Sequence, residues 1–156
     1  MNFLGANLTQ TYTELDEGNT PSVGTVVWNE NKAYKFVQYE AGAAATAGVS
    51  GEVAYYYAAG GASAGQTSIV TSDVSDSAAL GAGVLQADVA DGAYCWVQIK
   101  GPATLSIALT AGADGNALTA VGAGDGTLDV SGLVTDAVVA YAVDASAKII
   151  MCDFPY

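Results

Sequence analysis

The sequence predicts an all-β protein: an antiparallel β-sandwich or β-barrel of short strands joined by Gly-rich turns. In residues 94–100, aromatic and polar side chains alternate with apolar ones, the period of a strand with two different faces. Turn signals such as Asp-Gly and Gly-Asp recur about every ten residues, a spacing typical of sandwiches and barrels. The sequence lacks the long helical stretches that a parallel α/β fold places between its strands.

The stretch 93–109, AYCWVQIKGPATLSIAL, is the clearest element. In its first half Cys95 and Val97 lie on a wholly apolar face of the predicted strand. Gly101 and Pro102 interrupt the run, because proline donates no hydrogen bond to a strand ladder and glycine tolerates a sharp turn. The alternation resumes in LSIAL, so we expect two strands that form a core hairpin or a corner.

The N-terminal residues 1–20 predict an extended arm, and residues 21–156 a single β domain. The arm's apolar side chains follow no strict period, so they cannot form a core of their own. One interpretation is a partly disordered terminus. The other is an arm that becomes ordered against a neighbouring subunit or an underlying shell. In the second interpretation its contact residues are Phe3, Leu4, Leu8, Tyr12 and Leu15.

Two runs rich in β-branched and aromatic residues, 23–28 and 34–39, predict the first hairpin, with residues 29–32 as its loop. The Gly- and Ala-rich stretch 41–51 contains no large side chain and predicts a loop. The remaining strands are predicted at 52–58, 67–71, 83–87, 116–121, 127–130, 137–143 and 148–153.

At most one short helix is expected, in the segment DVSDSAAL at 73–80. Ser72 or Asp73 can cap its first turn, and Asp76 complements the helix dipole. The length of the segment limits this helix to about one or two turns.

Three consecutive tyrosines, Tyr55, Tyr56 and Tyr57, lie in the strand at 52–58. Because neighbouring side chains of a strand point to opposite faces, at least one of them should point away from the core. Tyrosines are enriched at protein interfaces, so these three are candidate contact residues. The alternative is an ordinary tyrosine at the rim of the core.

Composition limits the function classes. The 156 residues include four Lys and sixteen Asp or Glu, with no Arg and no His, and the net charge is -12. Affinity for nucleic acid comes chiefly from basic side chains that neutralise phosphates, so we expect no nucleic-acid partner. Apolar stretches are broken well before the roughly 18 residues of a membrane helix, and the N-terminus has no basic region of a signal peptide. We therefore expect no membrane partner and synthesis in a cytoplasm.

Candidate chemistry is sparse. Without His or Arg the chain has no ordinary nucleophile-base pair and no anion clamp, so we predict that it is not an enzyme and has no cofactor. Paired carboxylates remain available for a glycosidase, but most Asp residues lie in turns, where they bond backbone amides. The segment GAGDGTLDV, with Asp125 and Asp129, resembles one calcium-binding nonapeptide. That motif needs stacked copies, so a plain turn is preferred here and at Asp114, and no metal is expected.

Cys95 and Cys152 are the only cysteines, and their spacing matches no zinc or redox motif. Two buried thiols are the preferred interpretation, since Cys95 lies on the apolar face of its strand. A disulfide stays possible if the two strands are neighbours.

The run LQADVADGAYCWVQIKGPA, which follows a small residue, a Gly and Val84, resembles small structural proteins of tailed-phage gene clusters, especially capsid decoration (cement) proteins. Those proteins combine an apolar strand, an Asp-Gly or Asn-Gly turn, an aromatic-x-Trp-Val-Gln strand and a Gly-Pro break. A weaker likeness covers residues 23–39 and the aromatic-Pro ending at 154–156.

This resemblance implies a structural virion protein that binds the outer surface of a phage capsid and stabilises it by bridging capsomers. Its partners would be the major capsid protein and further copies of itself, in a homotrimer, and its place the capsid exterior. The alternative function is a tail or fibre recognition module that binds host-surface carbohydrate through exposed Tyr and Trp. A third is a β domain with another cellular role. The implied contact residues are the five apolar arm residues and the three consecutive tyrosines.

Overall fold

The structure is a computed structural model that describes residues 6–58 and 68–155, and these residues form ten strands and one short 3-10 turn. The prediction of an all-β fold is confirmed. The strands are β1 (Val26–Asn29), β2 (Lys32–Tyr39), β3 (Val53–Tyr57), β4 (Ile69–Thr71), β5 (Ser77–Leu85), β6 (Tyr94–Thr104), β7 (Ala117–Thr119), β8 (Asp129–Val130), β9 (Val138–Asp144) and β10 (Ile149–Asp153).

Five strands close into a ring. β2 pairs with β4, β4 with β3, β3 with β5, β5 with β6, and β6 again with β2. The pair β2–β4 is parallel, whereas the sequence predicted antiparallel strands throughout. A parallel pair needs a long connection, and the chain between β2 and β4, which includes β3, supplies it. The ring places apolar side chains from all five strands in one core.

β6 is the central strand, and it continues through Gly101 and Pro102 where the sequence predicted a break between two strands. Before this point β6 pairs with β2 and β5, and after it with β10, where Pro102 lies opposite Met151. The backbone of Gly101 has a φ of 87°, and a Cβ there would lie 2.5 Å from the carbonyl oxygen of Asn31. The Gly-Pro pair is therefore a corner at which one strand changes partners, and the predicted second strand does not form.

The C-terminal strands extend the sheet from the ring in the order β6, β10, β9, β7 and β8. Their inner side chains, including Leu118, Ile150 and Phe154, are fully buried and belong to the same core as the ring. Phe154 and Val139 approach so closely that a Cβ at Gly81 of β5 would lie within 3.2 Å of both. We call β7 to β10 the C-terminal sheet.

The arm packs on its own domain. Leu8 and Tyr12 cover a second core cluster that Tyr34, Phe36 and Trp96 form on the outside of β2 and β6. The ring of Phe36 lies 5.8 Å from the ring of Tyr12, in an edge-on arrangement, and 5.1 Å from that of Trp96. The backbone of Tyr12 also exchanges two hydrogen bonds, of 2.9 and 2.7 Å, with Tyr94 in β6.

Two local predictions need correction. The first hairpin has a two-residue loop, Glu30 and Asn31, because Glu30 adopts a φ of 56° that allows a tight turn. The short helix is a single 3-10 turn, Val74–Asp76, in which the Asp73 carboxylate accepts the Ser75 amide at 2.9 Å. Its predicted continuation to residue 80 is wrong, because β5 begins at Ser77 and pairs with β3.

Candidate partner-binding surface

The C-terminal sheet presents a row of apolar side chains that crosses four strands. Met151 of β10 lies opposite Pro102 of β6 on one side and opposite Tyr141 of β9 on the other. Tyr141 in turn lies opposite Ala117 of β7. Because directly opposed residues share a face of the sheet, these four side chains lie side by side. We call this row, together with Val143, the outer face.

The outer face is exposed. Met151 is 42% exposed, Tyr141 48% and Val143 50%, while their strand neighbours Ala142 and Cys152 are buried on the inner face. β9 and β10 are thus apolar on both faces, although only one is covered in the described structure. Strands of an antiparallel sheet that face water are normally polar on that side. Contiguous exposed apolar surface of this kind marks interaction sites.

Charged groups border the outer face at its two ends. Lys100 forms an ion pair with Asp153 at one end. Asp144 lies at the other end, and hydrogen bonds from the Ser146 hydroxyl and the Ala147 amide lower the pKa of its carboxyl. Between these ends the named side chains of the face carry no charge, although the chain as a whole has a net charge of -12.

Many carboxylates elsewhere tie one loop to another. The sequence predicted local bonds from Asp residues to turn amides, and such bonds occur, as at Asp73. Five others join amides that are 31 to 51 residues away, at 2.6 to 2.9 Å. Each of these bonds occupies a carboxylate that could otherwise bind a ligand, and each holds two loops together. The pairs are Asp76 with Ala43, Asp88 with Ser50, Asp91 with Ala41, Asp114 with Ala145, and Asp125 with Val74.

Of the three consecutive tyrosines, only Tyr57 lies partly outside the core, which fits the alternative of a tyrosine at the rim. Tyr55 and Tyr56 are both buried, because β3, a strand of the ring, is covered on both of its faces. They are therefore withdrawn as candidate contact residues. Tyr57 is half-buried. Its pKa is raised, first by desolvation and then by the negative charges of Glu40, Asp76 and a third nearby carboxylate.

Tyr55 connects the ring to the C-terminal sheet. Its hydroxyl oxygen accepts the Thr127 amide at 2.9 Å and lies 2.5 Å from the Thr127 carbonyl oxygen and 2.9 Å from that of Gly124, to which it can donate. Burial, as the largest cause, raises the pKa of this phenol. The hydroxyl therefore stays protonated and satisfies backbone groups that would otherwise be buried unpaired.

Tyr56 forms a second buried polar group with Lys35, which is only 5% exposed. The Lys35 ammonium donates to the Tyr56 hydroxyl at 3.2 Å, and that hydroxyl donates to the Pro155 carbonyl at 2.9 Å. Desolvation lowers the pKa of Lys35 and raises that of Tyr56 to about 12. This chain of hydrogen bonds fixes the C-terminal residues against the ring.

The predicted arm residues divide into three groups. Leu8 and Tyr12 are taken up by the chain's own aromatic cluster, so their apolar surface is already partly covered. Leu15 is exposed. Phe3 and Leu4 lie outside the described residues.

The two cysteines do not pair. Their strands β6 and β10 are neighbours, but Cys152 lies opposite Gly101, six residues from Cys95 along β6. Six residues of strand span about 20 Å, and a disulfide requires Cα atoms within about 7 Å. Both are buried free thiols, and desolvation raises the pKa of each to about 12. At neutral pH neither is a reactive thiolate.

In the segment GAGDGTLDV both aspartates bond backbone amides, and the segment ends in strand β8. The Asp125 carboxylate accepts the Val74 amide at 2.9 Å, and the Asp129 carboxylate accepts the Val130 amide at 2.7 Å. Within residues 6–58 and 68–155 no three His, Cys, Asp or Glu side chains come together in a group that could hold a metal ion.

Comparisons with known proteins give no relative: neither a protein-family model, nor a curated protein, nor a solved structure matches this chain. In the described part of the chain, no helix has the length and hydropathy needed to cross a membrane.

Sequence reasoning missed the outer face, although a signal for it was present. The segment VVAYAV at 138–143 is apolar at every position, with no alternation. In an antiparallel sheet such a strand is either buried on both faces or apolar on an exposed one. Trp28, which is 51% exposed on the edge strand β1, was likewise not singled out.

Proposed function

We propose that this chain is a structural virion protein that binds the outer surface of a phage capsid and stabilises it by bridging capsomers. The outer face is the capsid contact. The capsid surface that binds it should be apolar and flat, because the exposed side chains of Met151, Tyr141 and Val143 offer hydrophobic contact area with little charge.

One observation carries the proposal: the outer face is an apolar and nearly uncharged surface on an otherwise strongly acidic chain. Four strands spaced about 4.8 Å apart and paired over at most about five residues cover roughly 19 by 17 Å, about 300 Å². Standard interfaces bury about 800 Å² per partner, so a single copy would bind weakly. Weak individual contacts suit a protein that acts in many copies.

Binding of this kind stabilises a shell by mass action. A protein that binds only the assembled shell stabilises it by RT ln(1 + [L]/Kd), which is about 2.7 kcal/mol per site when its concentration is 100 times Kd. Summed over many sites the effect is large. The acidic remainder of each copy would keep decorated particles apart through like-charge repulsion.

The test is co-sedimentation of the purified chain with bare mature capsids of the phage whose gene cluster encodes it. We expect saturation at a fixed ratio to the major capsid protein. A Tyr141→Ser/Met151→Ser variant should lose binding, whereas deletion of residues 1–5 measures what the N-terminal segment adds. The matched control is Trp28→Ser, which removes an equally exposed aromatic ring from another surface. Failure of the unaltered chain to bind would reject the proposal.

A second candidate function, a tail or fibre module that binds carbohydrate, is favoured by one observation. The indole of Trp28 is half exposed on the edge strand β1, and exposed aromatic rings are suited to stack on sugar rings. The tyrosine cluster no longer supports this candidate because Tyr55 and Tyr56 are buried. Titration of the Trp fluorescence with host-surface glycans tests it: a saturable change that Trp28→Ala abolishes would support it, and an absence of change would exclude Trp28 as a sugar platform.

A further inference from the structure

The turn between β8 and β9 projects two apolar side chains into solvent. Leu133 is 67% exposed, and Val134 is fully exposed. The turn is nevertheless ordered, because the Asp136 carboxylate accepts the amides of Gly132 and Leu133 at 3.0 and 2.8 Å, and the Asp136 amide donates to the Leu133 carbonyl. An apolar group held in advance on an ordered turn loses little conformational entropy on binding. We call residues 132–136 the projecting turn.

A groove lies beside this turn, at the start of β9. Its volume is about 420 Å³, and its wall combines apolar side chains with exposed polar groups, among them the ion pair of Lys100 and Asp153. Clefts of about 300 to 1,000 Å³ accommodate small ligands, so the groove has room for a few side chains. The apolar lining consists of Leu80, Ala137, Val138, Val139, Phe154 and Pro155.

The projecting turn lies close to the groove, but its side chains do not enter the groove of their own chain. Val134 is only three residues from Ala137 in the groove wall, at most about 11 Å of extended chain. Its side chain is nevertheless fully exposed, and neither Leu133 nor Val134 lines the groove. An apolar projection and a recess that contains six apolar residues on the same chain can form the two halves of a contact between copies.

We propose that the protein self-associates by inserting Leu133 and Val134 of one copy into the groove of a second copy. This contact does not involve the outer face. It rests on the proposed function only in assuming that several copies act together. Because the turn and the groove are neighbours on one chain, two copies can exchange their turns about a two-fold axis, which closes the contact into a dimer.

Charge restricts where two copies can meet. Each chain carries a net charge of -12, so most surfaces repel each other. Asp136, Asp153 and Lys100 together contribute -1 to the contact region, which leaves -11 of the -12 elsewhere on the chain. Salt screens such repulsion, with a Debye length that falls from about 30 Å at 0.01 M to about 3 Å at 1 M. Self-association through this contact therefore strengthens as salt rises, the opposite of an association held by ion pairs.

Sedimentation equilibrium of the full chain tests the proposal. We expect reversible association that increases with NaCl. Val134→Ser should lower the association constant by at least about tenfold, because the anchor of the contact is lost. The matched control, Val49→Ser, changes an exposed valine on a distant loop and should leave association unchanged. A chain that stays monomeric at every concentration and salt level, or a Val134→Ser variant that associates as the unaltered chain does, would overturn it.

A mixing experiment identifies the two halves. Ala137→Trp places a large side chain at the exposed rim of the groove and leaves the projecting turn intact. Each variant alone should associate at least about tenfold more weakly than the unaltered chain, while a mixture of Val134→Ser with Ala137→Trp should form heterodimers, since one intact turn and one intact groove remain. A mixture that stays monomeric, with both variants folded by circular dichroism, contradicts the assignment. Capsid binding is scored separately, so self-association without capsid binding rejects the proposed function and keeps this inference.

Discussion

The five-stranded ring and the C-terminal sheet are built from similar apolar residues, but they use them differently. In the ring, β3 is buried on both faces, and the arm covers the aromatic residues outside β2 and β6. In the C-terminal sheet, β9 and β10 bury one face and leave Tyr141, Val143 and Met151 exposed on the other. The comparison shows that the ring covers its apolar residues with its own chain, whereas the C-terminal sheet leaves apolar side chains exposed on one face.

The largest expected difference is in the stability lost when one aromatic residue of each region is replaced. Phe36→Ala removes a ring that contacts Tyr12, Tyr94 and Trp96, so we expect the free energy of unfolding to fall by about 3 to 5 kcal/mol. Tyr141→Thr places a β-branched residue, which suits a strand, on the exposed face and should change the free energy of unfolding by no more than about 0.5 kcal/mol. Urea denaturation measures both. Equal losses would show that the outer face is part of the folding core.

The corner of β6 provides the next effect. At Gly101→Ala the new Cβ would meet the Asn31 carbonyl oxygen in addition to the strain of a positive φ, and we expect a loss of about 2 to 4 kcal/mol. The control is Gly92→Ala, where φ is also positive but no atom lies within 4 Å, and the loss should be about 1 to 2 kcal/mol. Thermal unfolding of the two variants compares them. If both lose the same stability, the close approach at the corner has no cost.

The hydrogen bonds of Tyr55 connect the two regions, and removing them should loosen one against the other. Tyr55→Phe leaves the Thr127 amide buried without its acceptor, and we expect a loss of about 1 to 3 kcal/mol. Hydrogen exchange should rise at residues 124–128 and stay unchanged in β2. Tyr57→Phe is the control, because the Tyr57 side chain is only half-buried. Unchanged exchange at 124–128 would mean that apolar packing alone holds the regions together.

The smallest effect concerns an acidic pair at the end of the ring. Desolvation first, and then the neighbouring Asp91, raise the pKa of Glu40 in the folded protein. A raised carboxyl pKa means that the folded state binds the proton more tightly, so this group destabilises the protein at neutral pH and the penalty disappears as pH falls through the raised value. Glu40→Gln should therefore stabilise the protein at pH 7 by less than about 1 kcal/mol. The gain should vanish in acid, and a gain that is independent of pH would contradict this cause.

Much of the fold was predictable because strand alternation and turn residues are local signals. The alternation around Val97 located β6, and Asp-Gly turns located β7 and β8. Closure of the ring and the parallel β2–β4 pair were not predictable, because they depend on pairings between distant strands. Buried Tyr55 and Tyr56 show the same limit: local alternation assumes one solvent face, and β3 has none.

The candidate surface was harder to predict than the fold. Exposed apolar residues give the same sequence signal as buried ones, so Tyr141 in VVAYAV resembles a core residue until the sheet is assembled. The arm shows the converse, since Tyr12 has the features of an interface residue but bonds the backbone of Tyr94 in its own domain. In both cases the partner of an apolar side chain is decided by long-range topology.

The most direct test of the outer face is hydroxyl-radical footprinting of the chain, alone and bound to bare capsids. We expect modification of Tyr141 and Met151 to fall by at least about tenfold on the capsid, because the centre of an interface excludes water. Trp28, on another surface, should be modified at an unchanged rate. Protection of Trp28 with Tyr141 and Met151 still fully reactive would contradict the claim that the C-terminal sheet binds the shell.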